Sequence, residues 1–317
     1  MSYNKYSDYM KNRYGEKVYK IPLNIHTSCP NRDGLISEGG CIFCGEKGAG
    51  FENLPSYMTV SEQLTQNISY IRKKYNAHQF VAYFQNYTNT YLPLEDLLRY
   101  AEEAARDDVV ELCFSTRPDC ISEEYLEGLY GISQKYNKHI AIELGLQTVN
   151  YHTLQRLNRG HSLAEVIDAV LRISRWKFSC CLHVILNFPW DNEIDVIENA
   201  KIISALPVEQ VKLHSLYIVK NTPLCDAYLD KKIELISKDQ YVERVILFLR
   251  HLREDIVVQR LLGRAPEEET VFCNWNTSWW KIRDEIETRM KEEKIVQGDS
   301  CNYLNGSCLK RFHKEQY

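Results

Sequence analysis

Short apolar runs alternate with amphipathic stretches along the first two thirds of the chain. Residues 17–25, 79–85, 109–115, 139–146, 180–187 and 211–219 read as strands, each rich in β-branched, aromatic or aliphatic side chains. Helical periodicity predicts helices over 94–106, 122–136, 150–157, 162–176 and 193–206, and a further one from Thr59 or Ser61 to Tyr75. A Tyr-rich segment, 3–15, has the pattern of a short amphipathic helix ahead of the first strand. Six strands separated by helical crossovers predict an α/β fold with a parallel sheet, and right-handed crossovers repeated in one direction curl such a sheet toward a barrel. Beyond residue 220 the pattern changes to helices at 228–232, 238–253 and 279–293 with a short strand at 256–261. The expected organisation is a barrel with an N-terminal extension over 1–220 and an α-rich extension over 221–317 that closes its side.

Composition narrows the function classes. The chain has 317 residues, 44% of them hydrophobic, which is enough for a sizeable core. A formal charge of -4 gives no sign of a globally basic nucleic-acid binder, so any such surface is a local patch. No apolar run approaches the roughly 20 residues that span a bilayer, and the first residues lack a secretory apolar region, so a cytoplasmic protein with no membrane partner is expected. In a reducing compartment eleven cysteines are ligands, catalytic thiols or buried hydrophobes rather than disulfides. Cys113, Cys180 and Cys181 lie in apolar runs and read as core; Cys273, Cys301 and Cys308 are candidates for a second metal site.

The chemistry concentrates in one loop, residues 26–50, where Cys29, Cys41 and Cys44 are spaced C-x11-C-x2-C and six of the chain's 14 glycines gather. Three thiolates hold three corners of a [4Fe-4S] cube and leave one iron open to a ligand that is not protein. The same residues also fit structural zinc, with Cys41 and Cys44 as a half-site and His26 or His78 joining Cys29 to complete a tetrahedron.

The segments CPNRDG (29–34) and GGCIFC (39–44) resemble the cluster loop of radical S-adenosylmethionine (SAM) enzymes. They are similar in particular to the branch that contains the catalytic subunit of Elongator and shorter bacterial relatives of about this length. The resemblance extends over about residues 21–220. It implies a partial (β/α)6 TIM-like barrel of radical SAM type with Cys29, Cys41 and Cys44, and not His26, as ligands of a [4Fe-4S] cluster that binds SAM at its open iron. It further implies cleavage of SAM to a 5′-deoxyadenosyl radical and a one-electron donor such as a flavodoxin or a ferredoxin.

Later strand ends carry further matching elements. The stretch 83–90 (YFQNYTNT) lacks the common Gly-Gly-Glu but resembles a polar version of the site that receives the SAM amino group, through Gln85 or Asn86. In TRPD, Arg117 can bind the SAM carboxylate or a phosphate bidentately, with Asp119 fixing its orientation. A carboxylate inside an apolar strand belongs in a polar cavity, and the resemblance implies that Glu143 contacts the SAM ribose with Gln147 nearby. NRGH (158–161) makes Arg159 the choice for the SAM carboxylate and His161 either an adenine neighbour or a residue leading the next helix. Asn187 and Trp190 depart from the small residues of the adenine pocket, while Pro189 is kept. Lys212 and His214 share one face of the sixth strand by period two, and with Tyr217 they are the candidate catalytic or substrate-binding residues.

The branch implies a tRNA substrate, with the C5 side chain of a wobble uridine as target. A chain of 317 residues leaves no room for Elongator's acetyltransferase domain, so remodelling of an existing side chain fits better than carboxymethylation. Arg72, Lys73 and Lys74, and the tail residues Lys310, Arg311 and Lys314, are candidate phosphate contacts; Trp275, Trp279 and Trp280 are candidate stacking platforms. A small-molecule or protein substrate, and a zinc-stabilised binding protein without redox chemistry, are the alternatives.

Overall fold

The computed structural model describes residues 2–46, 48 and 50–312, with side chains through 309. Six strands occur where alternation placed them: β1 (Val18–Leu23), β2 (Gln79–Phe84), β3 (Val109–Thr116), β4 (His139–Gln147), β5 (Ser179–Ile185) and β6 (Gln210–His214). They pair in sequence order and all in parallel. The crossover helices are α2 (Val60–Tyr75), α3 (Leu94–Ala104), α4 (Glu123–Tyr136), α5 (Tyr151–Arg156), α6 (Leu163–Arg175) and α7 (Glu193–Ala205), and α1 (Tyr6–Tyr14) precedes β1. Capping boxes at Thr59 with Glu62 and at Ser162 with Glu165 fix the starts of α2 and α6.

Three corrections apply beyond β5. The sixth strand ends at His214, because residues 218–219 form β7 (Ile218–Val219), which pairs antiparallel with a segment near residue 270. Tyr217 therefore sits in a loop. The helix expected at 228–232 is α8 (Pro223–Leu229), started earlier by Pro223 at its first turn and by Thr222, whose hydroxyl accepts from Cys225 N at 3.2 Å. After α9 (Lys238–His251), β8 (Val257–Val258) adds to β6 as a seventh parallel strand, so the architecture is an open seven-strand half-barrel rather than a six-strand one. Next come β9 (Thr270–Phe272), the partner of β7, and α10 (Trp279–Glu292).

Period two divides the sheet. Ile21, Phe80, Ala82, Phe84, Leu112, Phe114, Ile142, Leu182 and Leu213 point outward into one large core shared with the helices. The inward face is mixed: Val81, Cys113 and Ala141 make a small apolar patch, and Lys20, Tyr83, Glu143, His183, Lys212 and, past β8, Gln259 meet in a polar cluster inside the barrel. The N-terminal segment closes the lower end. Val258 N donates to Asn4 O at 2.8 Å, and Tyr6 and Met10 pack on Val81, Tyr83, Cys113 and Ala141. Access is left at the C-terminal strand ends, where chemistry lies in parallel α/β folds. No helix among the described residues is long and apolar enough to cross a membrane.

Candidate active site

A cavity of about 960 Å³ opens at the C-terminal strand ends and is lined by Cys29, Cys41 and Cys44 among others. The cysteine loop follows β1 and is fastened from outside itself by the segment after α5. Asn158 Nδ2 donates to Gly40 O at 2.9 Å, and Ile42 N donates to Leu157 O at 3.1 Å. Asn31, fully buried, donates through Nδ2 to Asn158 O at 2.5 Å and to Cys41 Sγ at 3.5 Å. Gly160, at φ 74°, gives Asn31 room, since a Cβ there would come within 2.6 Å of Asn31 Oδ1. The NRGH element thus braces the cysteine loop, a role that sequence reasoning missed because the partners are more than 100 residues apart.

Arg159 reaches into the cavity from the same element. Its Nη1 lies 3.6 Å from Cys41 Sγ and its Nη2 donates to Gly145 O at 3.0 Å, while its Nε, also buried, has no partner. Among the described residues no carboxylate is paired with it. The register of β4 against β5 slips between Leu144 and Gln147, and Gln147 turns to φ 71°; this bulge exposes the Gly145 carbonyl to Arg159. Hydrogen bonding between Cys44 and Cys41, with Arg159 beside them, lowers the Cys41 thiol and raises the Cys44 thiol, so Cys41 is the first of the pair to ionise. That favours the thiolate a metal requires.

Other expected SAM contacts fare differently. Gln85, Arg117, Gln147 and Arg159 line the cavity. Asn86 is buried beneath the loop, donating to Asn24 Oδ1 at 3.2 Å with its own Oδ1 unpartnered. Arg117 gives one edge of its fork to Asp119 at 2.9 and 2.7 Å and donates Nη1 to Arg159 O at 2.9 Å. Asp119 does orient it, but by occupying the edge that would bind a ligand carboxylate. His161 is buried, and burial beside Arg159 and Arg117 lowers its imidazole to about 3. Asn187 is buried and accepts from Leu216 N at 2.6 Å, bracing the turn after β6; Trp190 packs beside Phe188 with the Arg156 guanidinium 5.6 Å above its ring.

Glu143 corrects the ribose expectation. It is fully buried with both oxygens engaged: Oε1 by Lys20 and by Gln259 Nε2 at 2.9 Å, Oε2 by Lys212 Nζ at 2.9 Å and His183 Nε2 at 2.8 Å. Burial alone would raise its pKa, but Lys20 and Lys212 hold it well below the carboxylate range. Burial next to Lys212 lowers His183 to about 4, so the neutral ring donates to Glu143. Lys212 also donates to Tyr83 OH at 3.0 Å, and burial lowers it to about 8 against the pull of Glu143. His214 faces the same interior, its ring 5.1 Å from that of His183, and Arg260 Nη2 donates to its Nδ1 at 2.8 Å.

The extension supplies the mouth. Asn274, Trp275 and Asn276 all have φ near +50°, three left-handed residues in a row, at a cost repaid by local bonds. Asn274 Nδ2 donates to Gly263 O, Ser215 Oγ to Asn274 Oδ1, and Trp275 Nε1 to Ile236 O. Trp275 is therefore structural, whereas Trp279 and Trp280, 38% and 46% exposed, line the opening. Arg72 pairs with Asp108 at 3.0 Å at the N-terminal end of the sheet, so Arg72, Lys73 and Lys74 are remote from the cavity. The tail side chains Lys310, Arg311 and Lys314 lie outside the described residues. Cys273 lines the cavity but Cys301 sits beneath α9, its N–H donating to Gly298 O, so the two do not form a second metal site. His78, which opens onto β2 at the lower end, and His26, exposed on the loop's start, do not complete a zinc tetrahedron in the cavity.

A parallel half-barrel with three cysteines on the loop after its first strand defines a class of α/β enzymes whose site lies at the C-terminal strand ends. Residues 23–203 match the Radical SAM superfamily model and residues 208–292 match the Radical SAM C-terminal domain. The chain belongs to the radical SAM superfamily and is a radical SAM enzyme. It is 30% identical over 297 residues to YtqA of Bacillus subtilis, covering 93% of this chain and 92% of that one. To MJ0486 of Methanocaldococcus jannaschii it is 32% identical over 299 residues, covering 93% and 91%. In fold it resembles the archaeal Methanocaldococcus infernus Elp3 (TM-score 0.68, 15% identity), which matches 88% of this chain, while the chain spans 64% of that structure.

The family implies a [4Fe-4S] cluster and SAM, and the residues present fit both. Three cavity-facing cysteines are available as ligands, and the buried, unpartnered Nε of Arg159 awaits an acceptor.

Proposed function

We propose that this enzyme acts on tRNA and remodels the C5 side chain of a wobble uridine. Cys29, Cys41 and Cys44 would hold the cluster, and Gln85, Gln147 and Arg159 would surround SAM, with Asn86 and Arg117 shaping the walls behind them. The bound pair supplies one-electron cleavage of SAM and hydrogen abstraction from an unactivated carbon, for which a flavodoxin or ferredoxin is a suitable donor. The protein's share would be placement and exclusion of water: Arg159, 3.6 Å from Cys41 Sγ, would orient an anionic group, and the polar barrel floor around Lys212 and Glu143 would line the substrate's end of the cavity.

The observation that carries an RNA substrate is the pair Trp279 and Trp280, 38% and 46% exposed, which with Arg264 line a cavity large enough for a nucleotide. Exposed indoles stack unpaired bases at about 1–3 kcal/mol each. The likeness of fold to archaeal Elp3 supports the same reading. The test is gel-shift titration of the cluster-loaded enzyme with tRNA at several salt concentrations. Binding that weakens about tenfold or more in Trp279→Ala/Trp280→Ala supports the reading. Absence of tRNA binding at low salt sinks it.

A further inference from the structure

Six cations and two carboxylates line the cavity, and they are unevenly partnered. Arg264 pairs with Glu52, Arg117 with Asp119, and Arg32 with the carbonyls of Cys44 and Gly45. Arg159 serves the end nearest the cysteines. At the opposite, deeper end lie the largely buried Lys20 and Lys212, which share a single carboxylate, Glu143, and beside them the exposed Arg260, which reaches His214. Both oxygens of Glu143 are already shared among Lys20, Gln259, Lys212 and His183. Arg260 has only the His214 ring as its side-chain partner, with no carboxylate paired to it among the described residues. The two imidazoles add no negative charge. Lys20 and Lys212 are largely buried with one carboxylate between them, and the exposed Arg260 adds a further positive charge beside His214, so an anion bound here would be favoured.

We propose that the deep end of the cavity is an anion site for a carboxylate carried by the substrate, held between Lys212 Nζ and the free edge of the Arg260 guanidinium. Lys212 has three N–H donors, of which Glu143 and Tyr83 take two. Arg260 keeps N–H groups beyond the contact with His214. A planar monoanion suits two donors of this kind; a phosphate dianion would meet neutral His183 and His214 and the Glu143 carboxylate close behind. The depressed protonation of Lys212 fits a pocket awaiting its counter-ion. Placed with the reading above, which this inference uses to choose its probe, the side chain on the uridine ends in a carboxylate.

Calorimetric titration of the full-length, cluster-loaded enzyme with 5-carboxymethyluridine, its methyl ester and uridine 5′-monophosphate tests this. The acid is expected to bind at least tenfold more tightly than the ester. That preference should fall below threefold in Arg260→Gln, whose exposed side chain makes misfolding no explanation, with ester binding unchanged, and should fall likewise in Lys212→Met. Equal binding of acid and ester, or a preference that survives both substitutions, overturns the proposal; so does tighter binding of the monophosphate that the same variants abolish. If neither nucleoside binds, the uridine reading fails separately, and sodium acetate against acetamide decides the site. Protection of Arg260 from phenylglyoxal by acetate alone upholds it, and equal or no protection removes it.

Discussion

Gly145 places its carbonyl oxygen 3.0 Å from Nη2 of Arg159, and a Cβ on residue 145 would stand 2.5 Å from that same nitrogen and 2.8 Å from Gln147 Nε2. Gly145→Ala should displace Arg159 and Gln147 while leaving the cysteine loop's iron in place. The expected outcome is SAM affinity reduced tenfold or more, measured by equilibrium binding to the reconstituted protein, with iron content and circular dichroism unchanged. Unaltered SAM affinity would remove Arg159 from the binding site.

Only the three loop cysteines should control metal content. Cys29→Ala, Cys41→Ala and Cys44→Ala are each expected to lose most of about four irons per chain. Cys273→Ala, Cys301→Ala and Cys308→Ala should retain them, since Cys301 is held beneath α9 away from the cavity that Cys273 lines. Elemental analysis after anaerobic reconstitution checks both halves.

Removing the charge of Glu143 leaves Lys20 and Lys212 buried without their anion. Glu143→Gln should destabilise the fold by about 3–5 kcal/mol, the usual result of breaking a buried pair from one side. Urea unfolding gives the number, and a loss within 0.5 kcal/mol or so would mean that water already reaches the cluster. Glu143→Gln combined with Lys20→Met should recover part of the loss, because one cation goes with the anion.

Glu111 carries a pH dependence. Burial raises its carboxyl from the ordinary 4.5 to about 7, with Lys20 and Arg13 opposing and Glu143 and Glu209 reinforcing the shift, and one of its oxygens has no partner. The folded state holds this proton more firmly than the unfolded one. Its contribution to stability is complete below about 4.5 and is lost as pH rises through about 7. Glu111→Gln cannot ionise, so relative to wild type it should gain about 1–3 kcal/mol between pH 5 and pH 8. Thermal unfolding across that range reads the trend; a constant difference would contradict it.

Legibility followed the range of the interactions. The six main strands and their helices were readable because period two and period 3.6 are local properties, and the outward set Ile21, Phe80, Phe114, Ile142 and Leu182 forms the core that those periods predict. Strand β8 lies within the short strand expected at 256–261, but its place beside β6 in the main sheet was not legible, because strand pairing is not a local property. The end of β6 was misjudged because apolar residues continue through Val219 while the hydrogen bonds pass to a different partner, β9.

By itself the sequence placed the chain in its class through the resemblance of CPNRDG and GGCIFC and marked Cys29, Cys41 and Cys44 as candidate metal ligands, because they lie within 16 consecutive residues, while their spacing alone also fitted structural zinc. Only the tertiary structure decided what the remaining polar residues do. Glu143 meets side chains from Lys20, His183, Lys212 and Gln259, four segments brought together by strand register, and that meeting makes it the anchor of the barrel floor rather than a ribose contact. Likewise three similar tryptophans divide into one core residue, Trp275, and two at the opening, because a left-handed turn at 274–276 aims them apart. A period says which side chains share a face; what stands opposite that face is set by parts of the chain that no local pattern connects.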